Sequence, residues 1–149
     1  MLRNSIKRSD YESTPHLAWN AFIDLISDIR EGMTPLQIDA GIIFLYESEV
    51  QNGGHLQYFD NHGSKRARLT AGSLGRLGAF CQQQILVNAL ELWDSVPRPQ
   101  IKTAEEYSEI ATVSDFHRFD HAYHQCGPSI QEHLEHLLMN HFEEFIELI

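Results

Sequence analysis

What this chain can become is limited most by the helix-start signals spread along it. Thr14-Pro15 and Thr34-Pro35 each place a hydroxyl where a helix N-cap belongs, with proline just inside it, where a missing N–H costs nothing. Thr103 with Glu106, and Ser129 with Glu132, have the capping-box spacing, in which cap and third helical residue satisfy each other's donors. These signals predict helix starts near residues 15, 35, 104 and 130.

Between the starts, apolar residues recur at helical spacing. Ala18, Phe22, Leu25, Ile26 and Ile29 share a face opposite Asp24, Asp28 and Arg30, which predicts an amphipathic helix ending by Gly32. Ile38, Ile42, Ile43, Phe44 and Leu45 leave residues 36–50 little polar face, as in a helix central to the core. A buried strand is the alternative for residues 42–45, but the run around them is too long and too polar for one. Asn52-Gly53-Gly54 should stop that helix, and a short one through Leu56, Tyr58 and Phe59 should end at Asn61-His62-Gly63. Residues 65–93 read as helical again. Gly72, Gly75 and Gly78 allow either one closely packed helix or a cap at Gly78, and the break is preferred. Phe80, Ile85, Val87, Leu90 and Trp93 are expected in the core, and Pro97 and Pro99 mark a loop. Ile130, Leu134, Leu137, Leu138, Phe145 and Ile149 then form one stripe opposite Glu132, Glu135, Glu143 and Glu147, as in a single C-terminal helix. The fold class is all-α: a compact, single-domain bundle of about six to eight helices over residues 14–149, preceded by an N-terminal extension, residues 1–13.

With 149 residues the chain can bury a core without staples. Its two cysteines, Cys81 and Cys126, lack a CxxC spacing and are expected as free buried thiols. No apolar run approaches a signal peptide or a membrane span, so a cytoplasmic location is expected. The net charge of −10 argues against affinity for nucleic acid or an anionic membrane and allows attraction to a basic protein surface. From Asp120 onward there are six carboxylates and no Lys or Arg, whereas Lys65, Arg66, Arg68 and Arg76 form a basic cluster.

The segment Glu49-Val50-Gln51-Asn52-Gly53-Gly54-His55-Leu56-Gln57-Tyr58-Phe59-Asp60-Asn61-His62-Gly63 resembles the hallmark of a bacterial family of unknown function typified by DNA mimic protein 19. His55 stands where that family usually carries an aromatic residue, and Gly63 comes one place early. The resemblance extends over residues 34–149, through Leu77-Gly78-Ala79, Phe119-Asp120-His121-Ala122-Tyr123 and the C-terminal residues. It implies an all-helical fold, self-association as a dimer and, for the typical member, occupation of the DNA-binding surface of a transcription factor.

Two readings of the segment stand side by side. In the architectural one, Asn52, Gly53 and Gly54 turn the chain, Tyr58 and Phe59 enter the core, and Glu49, Gln57 and Asn61 satisfy backbone groups at helix ends. In the functional one, Glu49, Asn52, Gln57 and Tyr58 line a small pocket. A mimic also needs carboxylates spaced like phosphates. Carboxylates three or four residues apart on a helix lie about 4.5 to 6 Å apart along its axis, against about 3.4 Å per phosphate along one strand. Asp24 with Asp28, Glu105 with Glu109, Glu132 with Glu135 and Glu143 with Glu147 have that spacing, and Glu144 joins the last pair. The candidate partner-binding face is therefore Glu132, Glu135, Glu143, Glu144 and Glu147. Solvated helix faces ordinarily carry glutamate too.

His117, His121 and His124 fall on one helical face near Asp120 and are the best metal candidates, without HExxH or finger spacing to support them. No cofactor is expected. No G-x-S-x-G elbow, activated cysteine or P-loop lysine is present, so the chain reads as a binding protein rather than an enzyme. A metal-dependent or hydrolytic enzyme, and a toxin-neutralising immunity-type protein, are the alternatives.

Overall fold

The computed structural model of the protein describes residues 1–95 and 116–149. Its elements run β1 (Asn4–Ile6), α1 (Arg8–Ser13), α2 (Leu17–Ile26), α3 (Pro35–Leu77), α4 (Phe80–Ser95), α5 (Phe116–His124), α6 (Ile130–Asn140), α7 (Phe142–Phe145) and β2 (Ile146–Leu148). The fold is all-α, with seven helices and two three-residue strands among the described residues. The helix start expected near residue 104, the Glu105–Glu109 pair and the Pro97–Pro99 loop lie outside them. No helix of the described residues is long and apolar enough to cross a membrane.

The backbone forms two compact units, one of Met1–Leu45 with Pro128–Ile149 and one of Tyr46–Gly127. In the first, β1 and β2 pair in parallel, Asn4 opposite Ile146 and Ile6 opposite Leu148. Residues 1–13, read as an extension, thus contribute β1 and α1 to this unit. Phe22, Leu25, Ile26, Ile43, Ile130, Leu134, Phe145 and Ile146 are buried in it, and the Phe22 and Phe145 rings meet edge to face at 4.8 Å.

Sequence explains these helix starts locally. At α3, Thr34 Oγ1 accepts the Gln37 N–H at 3.2 Å, and Gln37 Oε1 accepts the Thr34 N–H at 2.9 Å, a reciprocal cap. The Gln37 amide then donates to the carbonyls of Leu2 and Glu144, both at 2.7 Å, so one buried glutamine joins a helix start to segments from both ends of the chain. The Ser129–Glu132 capping box is present at α6. By contrast α2 starts at Leu17 rather than near 15, because the Thr14 and Pro15 carbonyls accept the Leu17 and Ala18 N–H groups in a tight turn first.

The single C-terminal helix expected from residue 130 onward is not formed. Helix α6 ends at Asn140 and His141 leaves the helical region (φ −133°, ψ 35°); after the single turn of α7, Ile146–Leu148 are extended. Of the apolar stripe, Ile130, Leu134, Leu137, Leu138 and Phe145 are buried but Ile149 is exposed, because residues 146–148 pair with β1, which satisfies backbone groups that a helix would have satisfied internally.

In the second unit, both junctions read from the glycines exist: the helical backbone is interrupted at each and resumes beyond it. Gly54 (φ 77°, ψ −177°) and Gly63 (φ 76°, ψ 178°) are non-helical, with helix on either side. Gly78 ends α3 as expected: it takes φ 83°, its N–H donates to Gly75 O at 3.1 Å, and the Ala79 N–H donates to Leu74 O at 2.9 Å, the paired bonds of a Schellman cap. In α4 the buried face is Gln82, Leu86, Ala89, Leu90 and Trp93. Phe80, expected in the core, is 67% exposed, because the buried face is set by the 82-86-89-93 row and leaves the first residue of the helix outside it.

Cys81 and Cys126 are not free thiols. They form a disulfide with Cα atoms 5.9 Å apart, joining the first turn of α4 to the second residue beyond α5. They lie 45 positions apart in sequence, so the pair arises from the packing of α4 on α5 and has no local spacing signature.

Candidate functional site

Two places need comparison, one in each unit. The first is the hallmark segment. Glu49 is its hub: its carboxylate accepts the amides of Gln57 and Asn61, each at 3.1 Å, and Nε2–H of His62 at 3.3 Å. Burial alone would raise the Glu49 carboxyl, but these hydrogen bonds together outweigh it and hold it below its ordinary value. The structure therefore brings Glu49, Gln57 and Asn61 together through their side chains, where backbone partners at helix ends were expected, and adds His62. Tyr58 goes elsewhere: fully buried, it bonds Thr70 Oγ1 at 2.7 Å, and burial pushes its hydroxyl up to about 12. Asn52 is exposed. Gly53 and Gly54 set the turn, and a Cβ on Gly54 would strike the carboxylate of Asp120.

That carboxylate belongs to a second, deeper array. Asp120 Oδ1 accepts the backbone N–H of His55 at 2.8 Å and lies 2.7 Å from its Nδ1, while His55 Nε2 lies 2.6 Å from the Tyr46 hydroxyl. The tautomer with its proton on Nδ1 satisfies all three groups: Nδ1–H donates to Asp120 and Nε2 accepts from Tyr46. Asp120 also replaces the helix bond that the His55 N–H loses at the Gly54 kink. Tyr123 donates to the Glu47 carboxylate beside this array, and its ring packs edge to face on Tyr46 and His55 at 5.6 and 5.7 Å.

A hydroxyl, an imidazole and a carboxylate in series invite comparison with a nucleophilic triad. The surroundings argue for structure instead. Tyr46 and His55 are both 0% exposed, so no substrate reaches them. Burial also raises the hydroxyls of Tyr46 and Tyr123 well above their ordinary values, the opposite of activation. The array closes the kink at Gly54 with polar groups that satisfy one another.

The second place is the surface of the first unit. Glu135 and Glu143 are exposed. The other three acidic candidates have structural duties: Glu132 caps α6, Glu144 Oε1 accepts from Thr34 Oγ1 at 2.6 Å, and Glu147 pairs with Arg3 at 3.2 Å. Beside Glu135 lies a cavity of about 300 Å³, also lined by Tyr11, Trp19, Leu138, Met139 and Phe142. Sequence reading did not find it, because its walls come from α1, α2, α6 and α7. Tyr11 and Trp19, aromatic residues that do not belong to the Ala18-Phe22-Leu25 face and are half-buried, were the available signal.

His117, His121 and His124 lie on α5 and are all exposed. Among the described residues no group of three or more His, Cys, Asp or Glu side chains is arranged to hold a metal ion.

A family described as DMP19-like protein has a model that matches residues 31–144 of the chain. No curated protein matches it, and no solved structure does.

Proposed function

The chain belongs to the DMP19-like protein family, and from that premise we propose that it is a non-catalytic binding protein whose acidic surface occupies the DNA-binding surface of another protein. The observation that carries this reading is where the charge lies. The first unit holds eleven Asp and Glu against four Lys and Arg, so −7 of the chain's −10 resides there, with Asp24, Glu135 and Glu143 exposed on it. Carboxylates on helices present negative charge at a spacing comparable to phosphates, and a basic partner surface would be steered to them. The basic residues Arg66, Arg68 and Arg76 belong to the second unit, where Arg68 already pairs with Asp94 at 2.7 Å. The protein on this reading works in the cytoplasm, binds no nucleic acid itself, and gains acidic area if it self-associates as a dimer.

The test is a pull-down from a bacterial lysate, with duplex DNA as competitor and salt varied. Capture of a DNA-binding protein, lost at high salt and displaced by DNA, is the expected result. The double variant Asp24→Lys, Glu143→Lys should lose the captured protein while keeping its helical signal, because both side chains are exposed. Capture that DNA leaves untouched would sink the mimic reading.

A further inference from the structure

We propose that the cavity beside Glu135 takes the side chain of an arginine from the partner's basic surface. The inference rests on the reading above and gives that acidic surface a specific anchor. The walls supply what a guanidinium needs and what other ligands do not. Tyr11 and Phe142 stand with ring centroids 5.4 Å apart, tilted by 48°, and Trp19, Leu138 and Met139 extend the carbon lining. Met139 is 72% exposed, so the cavity opens to solvent. The only charge in the lining is the Glu135 carboxylate.

An anion would meet that carboxylate with nothing to neutralise it. A purely apolar ligand would desolvate it with only the neutral Gln131 amide, at 3.0 Å, as partner. An arginine uses both features: its methylenes and the flat face of its guanidinium lie on the aromatic rings, and its N–H groups reach the carboxylate two at a time. Lysine offers a more strongly hydrated point charge that gains less from ring faces. The −7 of the unit attracts either cation over a longer range, so the cavity adds discrimination to an attraction that is otherwise general. At about 300 Å³ the space is at the low end for ligand sites, the scale of one side chain with its neighbouring backbone.

The experiment is a titration of the full chain with acetyl-Leu-Arg-Leu-amide, followed through the indole N–H signals of Trp19 and Trp93 by NMR. Trp93 lies in the second unit and serves as an internal control. A saturable shift of Trp19 alone is expected, absent with acetyl-Leu-Gln-Leu-amide and weaker with the lysine peptide. Glu135→Gln, a change at an exposed side chain, should weaken binding about tenfold and Tyr11→Leu about threefold, within the range of cation–π and charge-assisted contacts. The proposal falls if the glutamine peptide shifts Trp19 as much, or if Glu135→Gln binds the arginine peptide like wild type. Because the peptide needs no partner protein, the two readings separate. Peptide binding with no DNA-displaceable partner would retire mimicry and keep the arginine site, and the reverse would retire the site alone.

Discussion

In the second unit three acidic side chains at the hallmark segment turn inward, while Asp60 stays exposed: Asp120 holds His55, Glu47 holds Tyr123, and Glu49 gathers Gln57, Asn61 and His62. In the first unit, Glu144 and Glu147 are tied to Thr34 and Arg3, while Asp24, Glu135 and Glu143 face solvent. A carboxylate turned inward on its own chain is lost to recognition by others, whereas one in water, such as Glu135 with its single exposed bond from the Gln131 amide, stays accessible and does little for cohesion. The family's hallmark motif and the surface proposed to bind a partner are therefore different parts of the molecule, made from the same residue types under opposite demands.

The largest break in this contrast should come from the disulfide. Replacing Cys81 and Cys126 by alanine, or adding reductant, frees a loop whose ends are 45 residues apart and should cost about 4 kcal/mol in the chain-entropy view. Hydrogen exchange should then rise in residues 46–95 and 116–127 while the β1–β2 amides hold; an equal rise in both would erase the distinction. Next, Asp120→Ala strips two donors of their acceptor at a buried histidine and should cost about 3 kcal/mol by urea unfolding.

The two kinks offer a sharper comparison. Gly54 and Gly63 have nearly the same backbone angles, yet a Cβ meets Asp120 at the first and nothing within 4 Å at the second. Gly54→Ala should therefore cost about 3 kcal/mol and Gly63→Ala about 1 to 2 kcal/mol, the second measuring backbone strain alone. Equal losses would mean that Asp120 gives way easily. In the first unit, Gln37→Met keeps the volume but removes the links to Leu2, Thr34 and Glu144, for about 2 kcal/mol.

The smallest effect is one of pH. Glu49 titrates below its ordinary value when folded, so its contribution is present above the unfolded carboxyl range, near pH 4.5, and is lost as pH falls through the lower folded value. Melting temperature followed from pH 6 to pH 3 should drop less steeply in Glu49→Gln than in wild type; parallel curves would remove Glu49 from the account.

The parts of this fold that could be read from sequence are those decided within a few residues. The Thr34 and Ser129 starts and the turns at Gly54, Gly63 and Gly78 depend on a cap or a left-handed backbone, and each has a local signature. What escaped depends on distant partners. Cys81 gives no hint of Cys126, and Asn4–Ile6 is too short to announce a strand until Ile146–Leu148 lies beside it. His55 was visible as a departure from the family's aromatic residue, but its meaning required Asp120, 65 residues away. The glutamates of the C-terminal residues could be counted but not sorted, because the turn at His141 decides which of them reach back to Thr34 and Arg3.

The discontinuity of the first unit bears on how the protein is made. Tyr46–Gly127 is contiguous and can close as soon as it leaves the ribosome, whereas Met1–Leu45 emerges first and must wait for Pro128–Ile149. Throughout that interval the face of Phe22 lacks Phe145, and β1 lacks its only strand partner among the described residues. The surface proposed for recognition is thus the last part of the molecule to be completed. A chain released early would keep the hallmark motif and lack four of the cavity's lining residues, Glu135, Leu138, Met139 and Phe142, and with them the means to hold a partner.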